Sequence, residues 1–239
     1  MNQKKVKKKV QKAWHWIWHS DSPISWVVAL LVIFIIVKYL FFPGLSLLMG
    51  TSLPVAGVES SSMDHNPTKY CEIAATFGGC AQMSSNYRLC DRDFAKKEKM
   101  SFNNYWAVCG DWYEKKEITK DNFSKFPMKS GFKKGDIIIV WGRFKPKVGD
   151  IIIFNANPES LAPRPIIHRI IEITDEGVIK TKGDHNKDYL TKDNNDYKTD
   201  ETEIYPEQII GKAVFKIPYL GWFKIWFVEL ISKVFDVFF

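Results

Sequence analysis

The chain has 239 residues, 46% of them hydrophobic and 15% aromatic, enough to bury a core and to interact with lipid. Its formal charge of +7 is concentrated: six lysines lie in the first twelve residues, MNQKKVKKKVQK, so the rest of the chain carries only +1. That distribution argues against a nucleic-acid-binding surface and for a basic tail.

Residues 1–21 form this basic arm, which also holds Trp14, Trp16 and Trp18. The segment 22–45, SPISWVVALLVIFIIVKYLFFPGL, follows, and from Ile24 to Phe42 its one charge is Lys38, near the far end. Nineteen residues at about 1.5 Å each span roughly 28 Å, close to a bilayer's hydrocarbon thickness. A core helix would show a polar stripe, and this segment has almost none, so it is expected to cross a membrane. The run is too long for the apolar core of a cleaved leader, and no A-x-A-like site follows it. Lysines and tryptophans on its N-terminal side predict a cytoplasmic N-terminus, with the remainder of the chain outside the cytoplasm.

Residues 46–63 pass through LPVAGVES, suited to a strand, into the serine run Ser60-Ser61-Ser62 and Met63. A polar, loop-like insertion over 64–130 then carries all four cysteines, Cys71, Cys80, Cys90 and Cys109. An even number clustered on the outer side reads as two disulfides with three pairings open. The gaps are too wide for the tight pairs of a zinc site. A sequon, Asn122-Phe123-Ser124, is compatible with that side.

From 131 to 217 the pattern turns to β structure. KKGDIIIVWG (133–142) and KVGDIIIFNA (147–156) nearly repeat, each placing Gly-Asp at a turn before three isoleucines. PIIHRIIEIT, GVIKTKG and IIGKAVFKI supply further strands. Short strands with little helix predict a mainly β, folded-sheet or barrel-like domain over 46–217. In the aromatic tail, 218–239, charges are interspersed, and a second span and a membrane-associated helix both fit.

A serine nucleophile needs a base and oxyanion donors. Of five histidines, His15 and His19 lie on the arm, while His65 and His185 have no local support as bases. His168 interrupts the apolar strand PIIHRII, where alternation points it away from Ile167 and packing would hold the imidazole firmly. A strand histidine bonded to a backbone carbonyl fits the same pattern. Sixteen residues on, TKGDHNKDY (181–189) offers Asp184 and Asp188 in a loop able to reach an imidazole, although Gly-Asp and Asn-Lys-Asp are also ordinary turn chemistry.

As an ordered set these segments resemble the type I signal peptidases of the archaeal type and of the endoplasmic reticulum catalytic subunit. That family shows a span, an SGSM box, paired GD strands, an apolar strand with HR, then KGD-N. This chain has SSSM (60–63), GDIII twice, IIHRII (166–171) and TKGDHN (181–186) in that order. The bacterial branch carries lysine where His168 stands. The resemblance covers roughly residues 22–63 and 131–225, and IPYLGWF resembles the segment that often closes archaeal members.

The resemblance implies a membrane-bound serine endopeptidase that removes signal peptides from secreted preproteins through an acyl-enzyme, with no metal or cofactor. Ser62 matches the nucleophile and His168 the general base. Ser60 matches the serine that helps the oxyanion hole, and Asp184 the acid orienting His168, with Asp188 as the alternative acid. Two departures stand out: Ser61 replaces the central glycine, and the family's further aspartate, five or six residues after the KGD box, is absent, with Asp188 at four and Asp193 at nine. The implied substrate is an extended strand with small residues at the first and third positions before the cut. The implied partners are preproteins and the bilayer, with any accessory subunits unspecified. Two other classes fit less well: a membrane-anchored, disulfide-stapled binding protein, which would leave Ser62 far from His168, and a repressor-type serine–lysine autoprotease, which needs a lysine at 168.

Overall fold

The computed structural model describes residues 3–74, 80–162, 164–195 and 197–221. The chain divides after Met49 into two compact units. In the first, helix α1 (Gln3–His19) is followed by α2 (Pro23–Ile36), a π-helical turn (Val37–Phe41) and α3 (Phe42–Met49). Pro23 opens α2 where its missing N–H costs nothing. Buried Ser25 donates its hydroxyl to the carbonyls of Trp16 (2.8 Å) and Ile17 (3.1 Å), satisfying the end of α1. The π turn ends two residues before Pro43, whose ring and absent N–H disturb a regular ladder. Helix continues from Pro23 to Met49, 27 residues that include an 18-residue stretch with a mean hydropathy of 2.6, long and apolar enough to cross a membrane. At about 40 Å it exceeds the bilayer core and would tilt.

The second unit is mainly β, as expected. It contains β1 (Val55–Gly57), β2 (Thr68–Ala74), β3 (Cys80–Leu89), β4 (Arg92–Phe94), helices α4 (Phe102–Glu114) and α5 (Lys120–Ser124), then β5 (Ile137–Trp141), β6 (Ile151–Phe154), β7 (Ile166–Ile173), β8 (Ile179–Lys182) and β9 (Ile209–Ile217). Six strands form one antiparallel sheet in the order β1-β5-β9-β6-β7-β8, and β2-β3-β4 form a second.

The near-repeated Gly-Asp turns have the same construction. Gly135 and Gly149 adopt φ of 90° and 93°, a region closed to most side chains. Asp136 and Asp150 accept the N–H of Lys133 (2.9 Å) and Lys147 (3.2 Å) in turn. Both turns release the chain into strands that flank β9. All four residues of β6 are buried, and period-two alternation sends them to two cores. Ile151 and Ile153 join Met63, Phe132, Ile138 and Val140, while Ile152 and Phe154 join Ile170, Ile179 and Ile204.

The segment expected to be a polar loop is built differently. Disulfides join Cys71 to Cys80 and Cys90 to Cys109. The first closes the β2–β3 hairpin. The second fixes the end of β3 to α4, where Tyr105, Trp106, Cys109 and Tyr113 face inward with Phe123 of α5. Ser101 caps α4, accepting the Asn104 N–H at 3.1 Å. The membrane segment expected at 218–239 lies outside the described residues beyond Gly221.

Candidate active site

Three stretches of the second unit converge. The serine run leaves β1 as a loop pinned at both ends. Val58 N–H bonds the Asp136 carbonyl (2.9 Å), and the Met63 carbonyl accepts the Phe132 N–H (2.9 Å). Met63 is buried in the sheet core, and its sulfur accepts the Asp184 N–H at 3.4 Å. Ser62 is thereby half-buried, with its Oγ 3.1 Å from the Oγ of Ser60.

His168 lies in the middle of β7, opposite Ile152 of β6, and is only 2% exposed. Its Nδ1 meets the carboxylate of Glu201. Glu201 is fully buried and held by two other donors, the Thr181 hydroxyl to Oε1 (3.1 Å) and the Leu190 N–H to Oε2 (2.9 Å). An acceptor at Nδ1 keeps the neutral ring's proton there and leaves the Nε2 lone pair free to take another. Nε2 looks onto Gly183. A Cβ on Gly183 would stand 2.8 Å from His168 Nε2 and 2.7 Å from the Ser62 carbonyl, so only glycine lets the imidazole and the serine loop approach so closely. Among the described residues no hydrogen bond joins Ser62 to His168. Such bonds are often long before substrate binds.

The two aspartates expected to orient His168 do something else. Asp184 points away from it. Its carboxylate takes a two-pronged contact from Arg169 (Nε 2.9 Å, Nη2 2.7 Å), with His65 Nε2 at 2.9 Å and the Tyr113 hydroxyl at 3.1 Å. Burial opposes its ionisation, but Arg169 and the bonds from His65 and Arg169 outweigh burial and hold the carboxyl well below the ordinary range. Asp188 accepts the Trp112 indole N–H (3.0 Å) and its neighbour's amide, also away from His168. The physical reason is period two: Arg169 and His168 point to opposite faces of β7, so the aspartate that serves Arg169 is on the wrong side for His168.

Sequence reasoning missed Glu201. It lies 33 residues after His168 and arrives through a segment bonded to β8, where Thr181 N–H meets the Glu201 carbonyl at 2.9 Å. No local pattern in TDETEI marks it.

Other buried polar groups surround the site. Burial pushes His65 and His185 below the usual imidazole value despite their acceptors, Asp184 and the Asp64 carbonyl. Lys182 is fully buried over the rings of Trp112 (4.7 Å) and Tyr113 (5.0 Å), and burial lowers it to about 8. A hydroxyl pair, an imidazole braced by a carboxylate and a glycine gap between them can pass a proton from a serine to a histidine. That is the chemistry of acyl transfer.

No family model matches the chain. Among curated proteins it is similar to the signal peptidase complex catalytic subunit sec11 of Sclerotinia sclerotiorum, 32% identical over 104 residues, covering 41% of this chain and 57% of that one. It is also similar to the signal peptidase complex catalytic subunit SEC11 of Pyricularia oryzae, 31% identical over 108 residues (43% and 59%), and to that of Lachancea thermotolerans, 30% over 112 residues (43% and 61%). The chain spans less than two thirds of the length of these relatives. These relatives carry the name of the family that the ordered boxes resemble.

Proposed function

We propose that the chain is a membrane-anchored serine endopeptidase of the signal peptidase type, with its N-terminus cytoplasmic and its β domain outside the cytoplasm. The observation that carries this reading is the pairing of His168 with Glu201 on one side of Gly183 and the Ser62 loop on the other. The binding-protein reading requires these groups to be far apart.

In the proposed cycle Ser62 Oγ attacks the scissile carbonyl and gives its proton to His168 Nε2. Glu201 holds Nδ1–H and stabilises the imidazolium. The Ser62 N–H and the Ser60 hydroxyl stabilise the developing oxyanion. His168 then protonates the leaving amine, and water hydrolyses the serine ester by the reverse proton route. Glu201 replaces Asp184 and Asp188 in this assignment. The substrate is a preprotein whose extended segment pairs along the edge strand β1, with small residues at the first and third positions before the cut.

The test is cleavage of a preprotein bearing an Ala-x-Ala site by the full chain in detergent. Ser62→Ala and His168→Ala should each abolish turnover while leaving the thermal transition in place. Cleavage that survives Ser62→Ala would sink the assignment of the nucleophile.

A further inference from the structure

The disulfide-stapled segment has no part in the cycle just described, yet it grips the loop on which the cycle depends. Residues 183–185 carry the gap at Gly183 and donate the His185 N–H to the Ser62 carbonyl at 2.9 Å. Three bonds reach this loop from the segment 90–113. Cys90 N–H bonds the His185 carbonyl (3.0 Å), the Tyr105 hydroxyl bonds the Asp184 carbonyl (2.8 Å), and the Tyr113 hydroxyl bonds the Asp184 carboxylate (3.1 Å). Tyr105 also stacks on His65 at 3.6 Å between ring centres, and His65 in turn bonds Asp184. Tyr105, Tyr113, Asp184 and Arg169 are all fully buried.

The Cys90–Cys109 disulfide makes these contacts one unit. It ties the end of β3, which supplies the Cys90 N–H, to the helix that supplies both tyrosines. The chain at Cys90 and Asp91 runs through φ of 48° and 67°, a turn that the cross-link and the bond to His185 hold in place. The Cys71–Cys80 disulfide offers a contrast within the same segment: both cysteines are exposed, and the hairpin's bond to this loop, from Thr68 Oγ1 to His185 Nε2 (3.1 Å), lies at its other end.

We propose that segment 90–113 is a clamp on the nucleophile loop, with Tyr105 and Tyr113 as positioning residues acting through Asp184 and His185 on Ser62. This rests on the serine endopeptidase reading. Loss of a clamp contact would let residues 183–185 drift, and with them the Ser62 carbonyl and the spacing to His168. Displacements of about 1 Å cost on the order of a hundredfold in rate. Because the substrate's own contacts lie elsewhere, the loss should fall on kcat and leave KM unchanged.

The experiment uses the full chain in detergent and compares wild type with Tyr113→Phe, the pair Cys90→Ser/Cys109→Ser, and the pair Cys71→Ser/Cys80→Ser. Preprotein cleavage gives kcat and KM, and amide hydrogen exchange reads residues 183–186 and 60–64. The clamp predicts a kcat loss of about tenfold for Tyr113→Phe and about a hundredfold for the Cys90/Cys109 pair. It also predicts unchanged KM, faster exchange in both loops and slow exchange retained in β6. The Cys71/Cys80 pair should behave as wild type. Faster exchange with unchanged kcat would make the contacts structural only and overturn the positioning role. Unchanged exchange in Tyr113→Phe and in the Cys90/Cys109 pair would overturn the clamp itself. A wild type that does not cleave would overturn the endopeptidase reading, and this proposal with it. Cleavage with equal kcat in all four proteins overturns this proposal alone.

Discussion

Two buried imidazole–carboxylate pairs lie on either side of β7, and they are built for opposite ends. His168 and Glu201 form one, His65 and Asp184 the other. Asp184 also receives both prongs of a buried guanidinium and a tyrosine hydroxyl, so its charge is fully compensated. Glu201 is held by a hydroxyl and an amide, and no guanidinium contacts it among the described residues. A carboxylate already neutralised by arginine adds little to the basicity of a nearby imidazole, whereas a neutral-donor set leaves its charge available to an imidazolium. The difference teaches that position beside a glycine-aspartate motif does not decide a carboxylate's role; the charge partner does.

The comparison breaks most sharply at Glu201. Glu201→Gln should lower kcat about a thousandfold or more, because the amide no longer enforces the tautomer or stabilises the imidazolium. Turnover within tenfold of wild type would return the search for the orienting acid to other carboxylates. Arg169→Met comes next. It leaves Asp184 buried without its cation and should destabilise the fold by about 3–5 kcal/mol in chemical denaturation. A loss under about 1 kcal/mol would mean that the pair is not the brace described.

Gly183→Ala is a smaller change with a local target. The new methyl would press on His168 Nε2 and the Ser62 carbonyl, and kcat should fall roughly ten- to a hundredfold with the thermal transition little moved. Full activity would show that the gap has room to spare. The gentlest probe is pH. Burial lowers the folded-state pKa of His65 and His185 below the ordinary value of about 6.5. As pH falls through that value the unfolded chain takes up protons first. Stability is therefore present above it and declines below it, toward the lower folded-state values. The unfolding midpoint should drop between about pH 7.5 and pH 5.5, and less so in His65→Gln. An identical drop in that variant would assign the effect elsewhere.

Much of this architecture was legible beforehand. Isoleucine triplets after Gly-Asp turns announced β5 and β6, since β-branched runs behind a glycine at positive φ have few other uses. The histidine inside the apolar alternation of β7 was visible as well, although its pattern fitted a carbonyl-bonded strand histidine equally. The 64–130 segment was misread as loop because its polar residues dominate the count, although Phe102, Tyr105, Trp106, Cys109 and Tyr113 recur at helical spacing and form one buried face. Glu201 was out of reach in principle. Its place depends on an antiparallel bridge between Ile179 and Ile204, a pairing decided by tertiary packing.

The strand order has a consequence in time as well as space. In the main sheet, β1 and β5, next to the serine loop, and β6, β7 and β8, with His168, share a backbone ladder only through β9, while Ile151 and Ile153 of β6 pack against Ile138 and Val140 of β5. That strand is the last one among the described residues, so the sheet is closed only after the strands on both sides of it have been made. Such long-range pairing is slow to form. A growing chain holds the Ser62 loop and His168 on strands without a common ladder until residues 209–217 arrive, and a chain stopped short of Ile209 should lack the pairing that joins them.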